Sequence, residues 1–242
     1  MRPLKRFYKD VGVAPTQGGG FTVTLDGRPI RTPAQNAISL PVEALARALS
    51  EEWAAQEENI DPHSMPLTSM ACTAIDLVRQ RRVEVVAELA AYGQTEMLCY
   101  RAGESGDLAD RQTVVWQPLL EWASVELGAR LLATPGILPV QQPAEALDAL
   151  RREVEAHSDM GLAALAAAIK ASDSLVLGLA LSRGRISAEE AFAAAELEAT
   201  YQIELWGEDA EATRRRAAIR RDLEAAERFF RILTAEVAGN AR

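Results

Sequence analysis

The chain has 242 residues, 48% hydrophobic and 25% charged, an ordinary globular balance that leaves material for a sizeable core. Its 26 Lys and Arg stand against 35 Asp and Glu, a formal charge of −9. That field repels phosphate backbones and anionic lipid heads, so neither nucleic acid nor a membrane surface is an expected partner. No run approaches the roughly 18 consecutive apolar residues of a membrane span, and no membrane insertion is expected.

The opening Met1 to Arg6 is basic, but no apolar stretch follows before Phe7 and Tyr8. It does not read as a signal peptide, a mitochondrial transit peptide is equally unexpected, and the bacterial cytoplasm is the expected setting. Phe21, Val23 and Leu25 then alternate with Thr22, Thr24 and Asp26, the period of a half-buried strand. Asp26-Gly27 supplies a turn able to take positive φ, and Arg28 to Thr32 reads as the return strand. Pro29 places that strand at an edge, because proline donates nothing to a ladder. Ile38 and Leu40 offer a further short strand. Val42, Leu45, Ala46, Leu49 and Trp53 then share one helical face, with Pro41 suited to the first turn.

From Met65 onward almost every segment reads as helix. Leu67, Met70, Ala71, Ala74 and Val78 make one stripe, and Val83, Val86, Leu89 and Ala90 a second that Gly93 stops. Asp110 is expected to cap a helix running to Gly128. Pro143, Ser174 and Ser187 stand at helix starts, the last in a Ser187-Ala188-Glu189-Glu190 capping box. One helix is read from Ser187 through Trp206, with Phe192, Ala195, Ala199, Ile203 and Trp206 as its apolar stripe. Glu198 and Gln202 lie one turn apart on its margin. Arg214-Arg215-Arg216 reads as a solvated helix face, and Ile219, Leu223, Ala226, Phe230 and Leu233 as a packing seam. These readings give an α+β chain: a small β-containing domain over residues 1–60 and a larger all-α domain over 61–242.

The inventory for chemistry is thin. The chain has two histidines, His63 and His157, and neither has a second ligand at metal spacing. Cys72 and Cys99 are far apart in apolar contexts and read as buried structural thiols. No Gly-x-x-x-x-Gly-Lys-[Ser/Thr] cradle occurs, and Gly18-Gly19-Gly20 precedes a strand rather than a helix. No Gly-x-Ser-x-Gly elbow occurs either. Adjacent carboxylates such as Glu57-Glu58 diverge by about 100° on a helix instead of converging. No catalytic residue, cofactor or metal site is therefore expected. The competing readings are a small hydrolase or lyase using carboxylate and histidine acid–base chemistry, and a permanent subunit of a larger complex.

One pattern runs through most of the chain. It includes Arg6-Phe7-Tyr8-Lys9, Leu25-Asp26-Gly27-Arg28, Thr32-Pro33, Glu52-Trp53 with Gln56, and Met65-Pro66-Leu67-Thr68. Cys99-Tyr100-Arg101, then Gln112 with Trp116-Gln117-Pro118-Leu119-Leu120, and Gln202 with Trp206-Gly207-Glu208-Asp209 continue it. In this order and spacing the chain resembles the family of F-type ATP synthase assembly chaperones that bind the alpha subunit. The resemblance covers residues 6 to about 230. It departs at Ala199, where the family often has a second acid, and at Tyr201, where the family usually has Trp. It implies a chaperone without turnover, which holds free alpha subunit against aggregation until the beta subunit replaces it. It also implies a partner-binding set of Glu198, Gln202, Trp206, Trp53 and Gln56.

Overall fold

The computed structural model describes residues 4–103, 106–136, 138–207 and 209–239. The architecture is the expected α+β, with short strands first and helices after. Contacts divide the chain into two compact units. The first comprises residues 1–82, 159–164 and 228–242, and the second 83–158 and 165–227. The boundary read from the sequence at residue 60 falls inside the first.

In the first unit, β1 (Leu4–Lys5), β2 (Val11–Pro15), β3 (Phe21–Leu25) and β4 (Arg28–Pro29) precede α1 (Glu43–Ala54) and β5 (Asn59–Ile60). β3 is the expected strand, but its main partner is β2, which pairs with it over its full length, Val13 opposite Val23. The expected return strand shrinks to β4 at the sheet edge, where Pro29 needs no ladder donor. Asp26 and Gly27 take φ of 48° and 77°, the paired left-handed conformations of a two-residue hairpin turn. The Asp26 carboxylate also accepts the backbone amides of Lys9 and Asp10, at 3.0 and 2.9 Å. Leu40 closes the far side of β3 through two backbone bonds with Phe21, at 2.9 and 2.8 Å. Gly20 permits this: with φ of 100°, a Cβ there would meet the Leu40 carbonyl at 2.6 Å. α1 packs on β2 and β3 and buries Leu45, Ala46, Ala48 and Leu49.

α2 (Pro66–Thr73) continues into a π-helical turn over Ala74–Val78, and the expected stripe from Leu67 to Val78 is buried through both. Asp76, in that turn, collects Thr32 Oγ1 at 2.6 Å, Asn36 Nδ2 at 2.8 Å and the Ala34 amide at 3.1 Å. Burial alone would raise its pKa. These three donors outweigh burial and hold it below the usual carboxylate range.

α3 (Arg82–Ala91) gives way to a 3₁₀ turn at Tyr92–Thr95, as the glycine at 93 implied. β6 (Tyr100–Arg101), α4 (Asp107–Glu126) and β7 (Thr134–Pro135) follow. α4 starts earlier than expected: Gly106 is its N-cap and Asp110 lies inside the first turns. Asp107 and Asp110 there still complement the positive end of the helix dipole. The remaining helices are α5 (Ala144–Glu155), α6 (Asp159–Ser172), α7 (Leu175–Ser182), α8 (Ala188–Ala195), α9 (Leu197–Trp206) and α10 (Ala210–Gly239). Pro143, Ser174 and Ser187 are the N-caps of α5, α7 and α8, and the Ser187–Glu190 capping box is formed in both directions.

α7 is buried from Leu175 through Leu181, so its free N-terminal amides have no water to turn to. Ser174 Oγ accepts the Leu177 amide at 3.0 Å and donates to Glu96 at 2.5 Å. The Glu96 carboxylate also accepts the Val176 amide at 3.0 Å. Burial pushes its pKa upward against these bonds.

Candidate partner-binding site

α9 follows α8 after a break at Glu196, whose φ of −101° and ψ of 17° end α8. The single helix expected from Ser187 to Trp206 is therefore two. Glu196 is buried, and it accepts Arg215 through both carboxylate oxygens, at 2.9 and 2.7 Å, and Arg216 at 3.1 Å. Arg216 and Arg220 stack over Phe192, with guanidinium carbons 5.1 and 4.2 Å from the ring centre. Of the arginine run at 214–216, Arg214 and Arg215 are exposed, as a solvated face implies, but Arg216 is drawn inward. Arg215 and Arg216 both reach an acid that the sequence pattern gave no reason to single out. A buried carboxylate with bidentate arginine geometry fixes the break in one conformation, and loss of either partner leaves an uncompensated charge.

Of the ten residues of α9 only Leu197 is buried. Glu198 and Gln202 are both exposed and one turn apart, as the spacing implied. Leu205 and Trp206 close the helix at 55% and 77% exposure, before Gly207 stops it with φ of 85°. An exposed Leu-Trp pair beside a carboxylate and an amide is a face with a hydrophobic anchor and polar groups to set register.

The Glu198 carboxylate is held from below. Gln112 of α4, fully buried, donates to it at 2.7 Å through Nε2 and accepts the Ala102 amide at 2.7 Å through Oε1. Arg101 donates to the Gln112 carbonyl at 2.7 Å and lies over Trp116, 5.3 Å from its ring centre. Trp116, also buried, donates to the Ala194 carbonyl at 2.9 Å. Arg101, Gln112 and Trp116 belong to the recognised pattern: Gln112, braced by Arg101, holds α9 against α4, and Trp116 ties α4 to α8. Burial lowers the Arg101 pKa, and its Nη2 has no partner.

Trp53 and Gln56 lie in the first unit. Trp53 is half-buried, stacks edge-on with Tyr8 at 5.8 Å, and keeps its Nε1 shut from solvent with no acceptor. Gln56 is buried and makes three bonds: to the Glu52 carbonyl at 3.0 Å, to Ser64 Oγ at 2.9 Å, and from the Asp61 amide at 2.7 Å. It pins the loop between α1 and α2. Glu52 does parallel work, accepting the Leu67 and Thr68 amides at 2.8 Å each and Thr68 Oγ1 at 2.7 Å. It caps α2 from outside, where the local N-cap, Met65, has no side chain able to do so. The structure thus brings Glu198, Gln202 and Trp206 onto one helix and places Trp53 and Gln56 together in the first unit.

Neither cysteine is poised for chemistry. Burial pushes the Cys72 thiol to about 11 and the Cys99 thiol to about 12. His157 is held by the Glu153 carbonyl at 2.9 Å and Ser182 Oγ at 3.2 Å, and burial lowers its pKa. Among the described residues no cluster of three or more His, Cys, Asp or Glu side chains is placed to hold a metal, and no helix is long and apolar enough to cross a membrane.

The exposed polar and aromatic residues of α9 make a face of the kind that meets another macromolecule. Residues 5–124 match the family model described as ATP12 chaperone protein. The mitochondrial protein atp12 of Schizosaccharomyces pombe is 27% identical over 216 residues, 84% of this chain and 74% of that protein. The crystal structure of Atp12 from Paracoccus denitrificans superposes with a TM-score of 0.88 at 42% identity, covering 95% of this chain and 98% of that one. The Atu1473 protein of Agrobacterium tumefaciens gives a TM-score of 0.90 at 41% identity, covering 95% of this chain and 86% of that one. The chain belongs to the ATP12 chaperone family, a family of ATP synthase assembly chaperones and not of enzymes.

Proposed function

We propose that this protein holds the free alpha subunit of the F-type ATP synthase, keeps it from aggregating, and yields it to the beta subunit in the bacterial cytoplasm. An unassembled subunit exposes apolar surface that its neighbour later covers, and such surface drives aggregation. The observation that carries the reading is the end of α9, where Trp206 and Leu205 stand exposed next to Gln202 and Glu198 in a chain of this family. Trp206 supplies a large rigid anchor, and Glu198 and Gln202 supply charge and hydrogen bonding at its border. Trp53 contributes surface in the first unit, and Gln56 acts through the loop it pins, since its own polar atoms are engaged.

The test is light scattering of isolated alpha subunit with and without this protein, followed by size-exclusion chromatography. The expected result is suppressed scattering and a co-eluting pair that beta subunit dissolves. Unchanged scattering with no co-elution overturns the proposal.

A further inference from the structure

The first unit carries a track of apolar surface on either side of Trp53. One groove, of about 700 Å³, is lined by Leu4, Phe7, Ile60, Met65, Leu77 and Trp53 among others. A second, of about 530 Å³, shares Phe7, Arg31 and Trp53 with the first and runs along β4 to Arg28. Leu4, Phe7 and Leu77 are 61%, 66% and 42% exposed, so three large apolar side chains border one channel. Phe7 stands edge-on to Tyr8 at 5.4 Å, and Tyr8 to Trp53 at 5.8 Å, which makes the divide between the grooves a continuous aromatic rib.

Two features specify the occupant. Two grooves that share Phe7, Arg31 and Trp53 suit an extended chain better than a compact small molecule. The charges of the lining are unevenly engaged. In the second groove Arg28 and Arg31 stand against one lining carboxylate, Asp26, which accepts the Lys9 and Asp10 amides and feels the Arg28 charge. The β4 end of the track is therefore electropositive on a chain of net charge −9.

We infer that this track is a second client-docking site, taking an extended apolar segment of the alpha subunit with an acidic residue at the Arg28–Arg31 end. This rests on the alpha-subunit reading above and adds where, and in what conformation, part of the client is held. Its residues belong to the first unit, and those of α9 to the second.

The experiment uses the full chain with Phe7→benzoylphenylalanine, irradiated with denatured alpha subunit diluted into it, and mass spectrometry of the products. A matched chain with Val125→benzoylphenylalanine, at another exposed site, is the control. The expected product from position 7 is one short apolar stretch of alpha with an acid beside it. Phe7→Ala removes the exposed ring shared by both grooves and should weaken binding of a synthetic peptide of that stretch about tenfold, the scale of one buried aromatic. Arg28→Glu should weaken it further, and the difference should shrink at high salt. Cross-links to a second copy of this chain, or scattered products no different from position 125, overturn the inference while alpha capture by the unmodified chain stands. Absence of capture by the unmodified chain overturns both readings.

Discussion

The role of Glu198 turns on a substitution that separates its charge from its hydrogen bond. Charge reversal to Lys is the obvious test, but the carboxylate is the acceptor for Nε2 of the buried Gln112 at 2.7 Å. Glu198→Lys puts a cation against that donor and leaves it unmade, at a cost of about 1–3 kcal/mol. For a chain of this size each kcal/mol lowers Tm by about 2–4 °C. Lost capture by that variant would then mix lost contact with a loosened α9. Glu198→Gln keeps an oxygen for Gln112 and removes only the charge, so its Tm should stay within about 1–2 °C of the parent. If the carboxylate meets a cation on the alpha subunit, Glu198→Gln should weaken binding about tenfold, or about 1.4 kcal/mol. The assay is alpha capture by fluorescence anisotropy, with thermal melts on the same preparations. A Glu198→Gln chain that binds as the parent does, while Glu198→Lys melts early and binds poorly, would refute a contact role and leave Glu198 as a prop for Gln112.

Three further substitutions probe interior contacts. Glu96→Gln should destabilise by about 1–3 kcal/mol, because one of the donors now met by two carboxylate oxygens, the Val176 amide among them, would face an amide N–H₂. Burial raises the Glu96 pKa, so the parent should lose stability as pH rises from about 4.3 through the folded value, a slope that urea titrations should find missing in the variant. Burial lowers the His157 pKa, so its contribution is complete above about 6.5 and is lost as pH falls below that; His157→Gln should flatten the slope below about pH 6.5. Gly178→Ala should cost about 1–3 kcal/mol in thermal melts, because the new Cβ would lie 2.8 Å from Ile169 Cγ1 where α6 and α7 pack.

Much of the fold was legible because its signals are local. The Asp26-Gly27 turn, the caps at Ser174 and Ser187 and the stop at Gly128 each depend on a few adjacent residues. β2 was missed because Val11-Gly12-Val13-Ala14-Pro15 alternates apolar with small residues and ends in proline, and only its pairing with β3 makes it a strand. The break at Glu196 was hidden for the opposite reason. Phe192 through Trp206 keeps a helical period, and the groups that hold the break, Arg215 and Arg216, lie about twenty residues downstream. The α2 cap had the same concealment, since Glu52 reaches Thr68 across sixteen positions. Of the candidate site, the marginal position of Glu198 and Gln202 followed from spacing, whereas the exposure of Trp206, which spacing put on the apolar stripe, and the engagement of Gln56 did not.

That division bears on what the recognisable pattern means. Glu52, Gln56, Arg101, Gln112 and Trp116 all belong to it, and each is engaged inside the fold: a cap, a loop pin, the struts under α8 and α9. Residues of that kind identify a fold, because removing one leaves a buried partner unsatisfied whatever the protein binds. The part of the pattern free to meet another molecule is smaller, and it lies where large side chains remain exposed without packing to explain them. Trp206 at the end of α9 and Phe7 beside Trp53 are such places. An aromatic left in water weakens the case for a purely structural role at its own position, since burying it would stabilise the chain by about 1.5–3 kcal/mol. The partner surface is therefore to be sought first at those two aromatics, and the internal residues of the pattern serve as controls for folding.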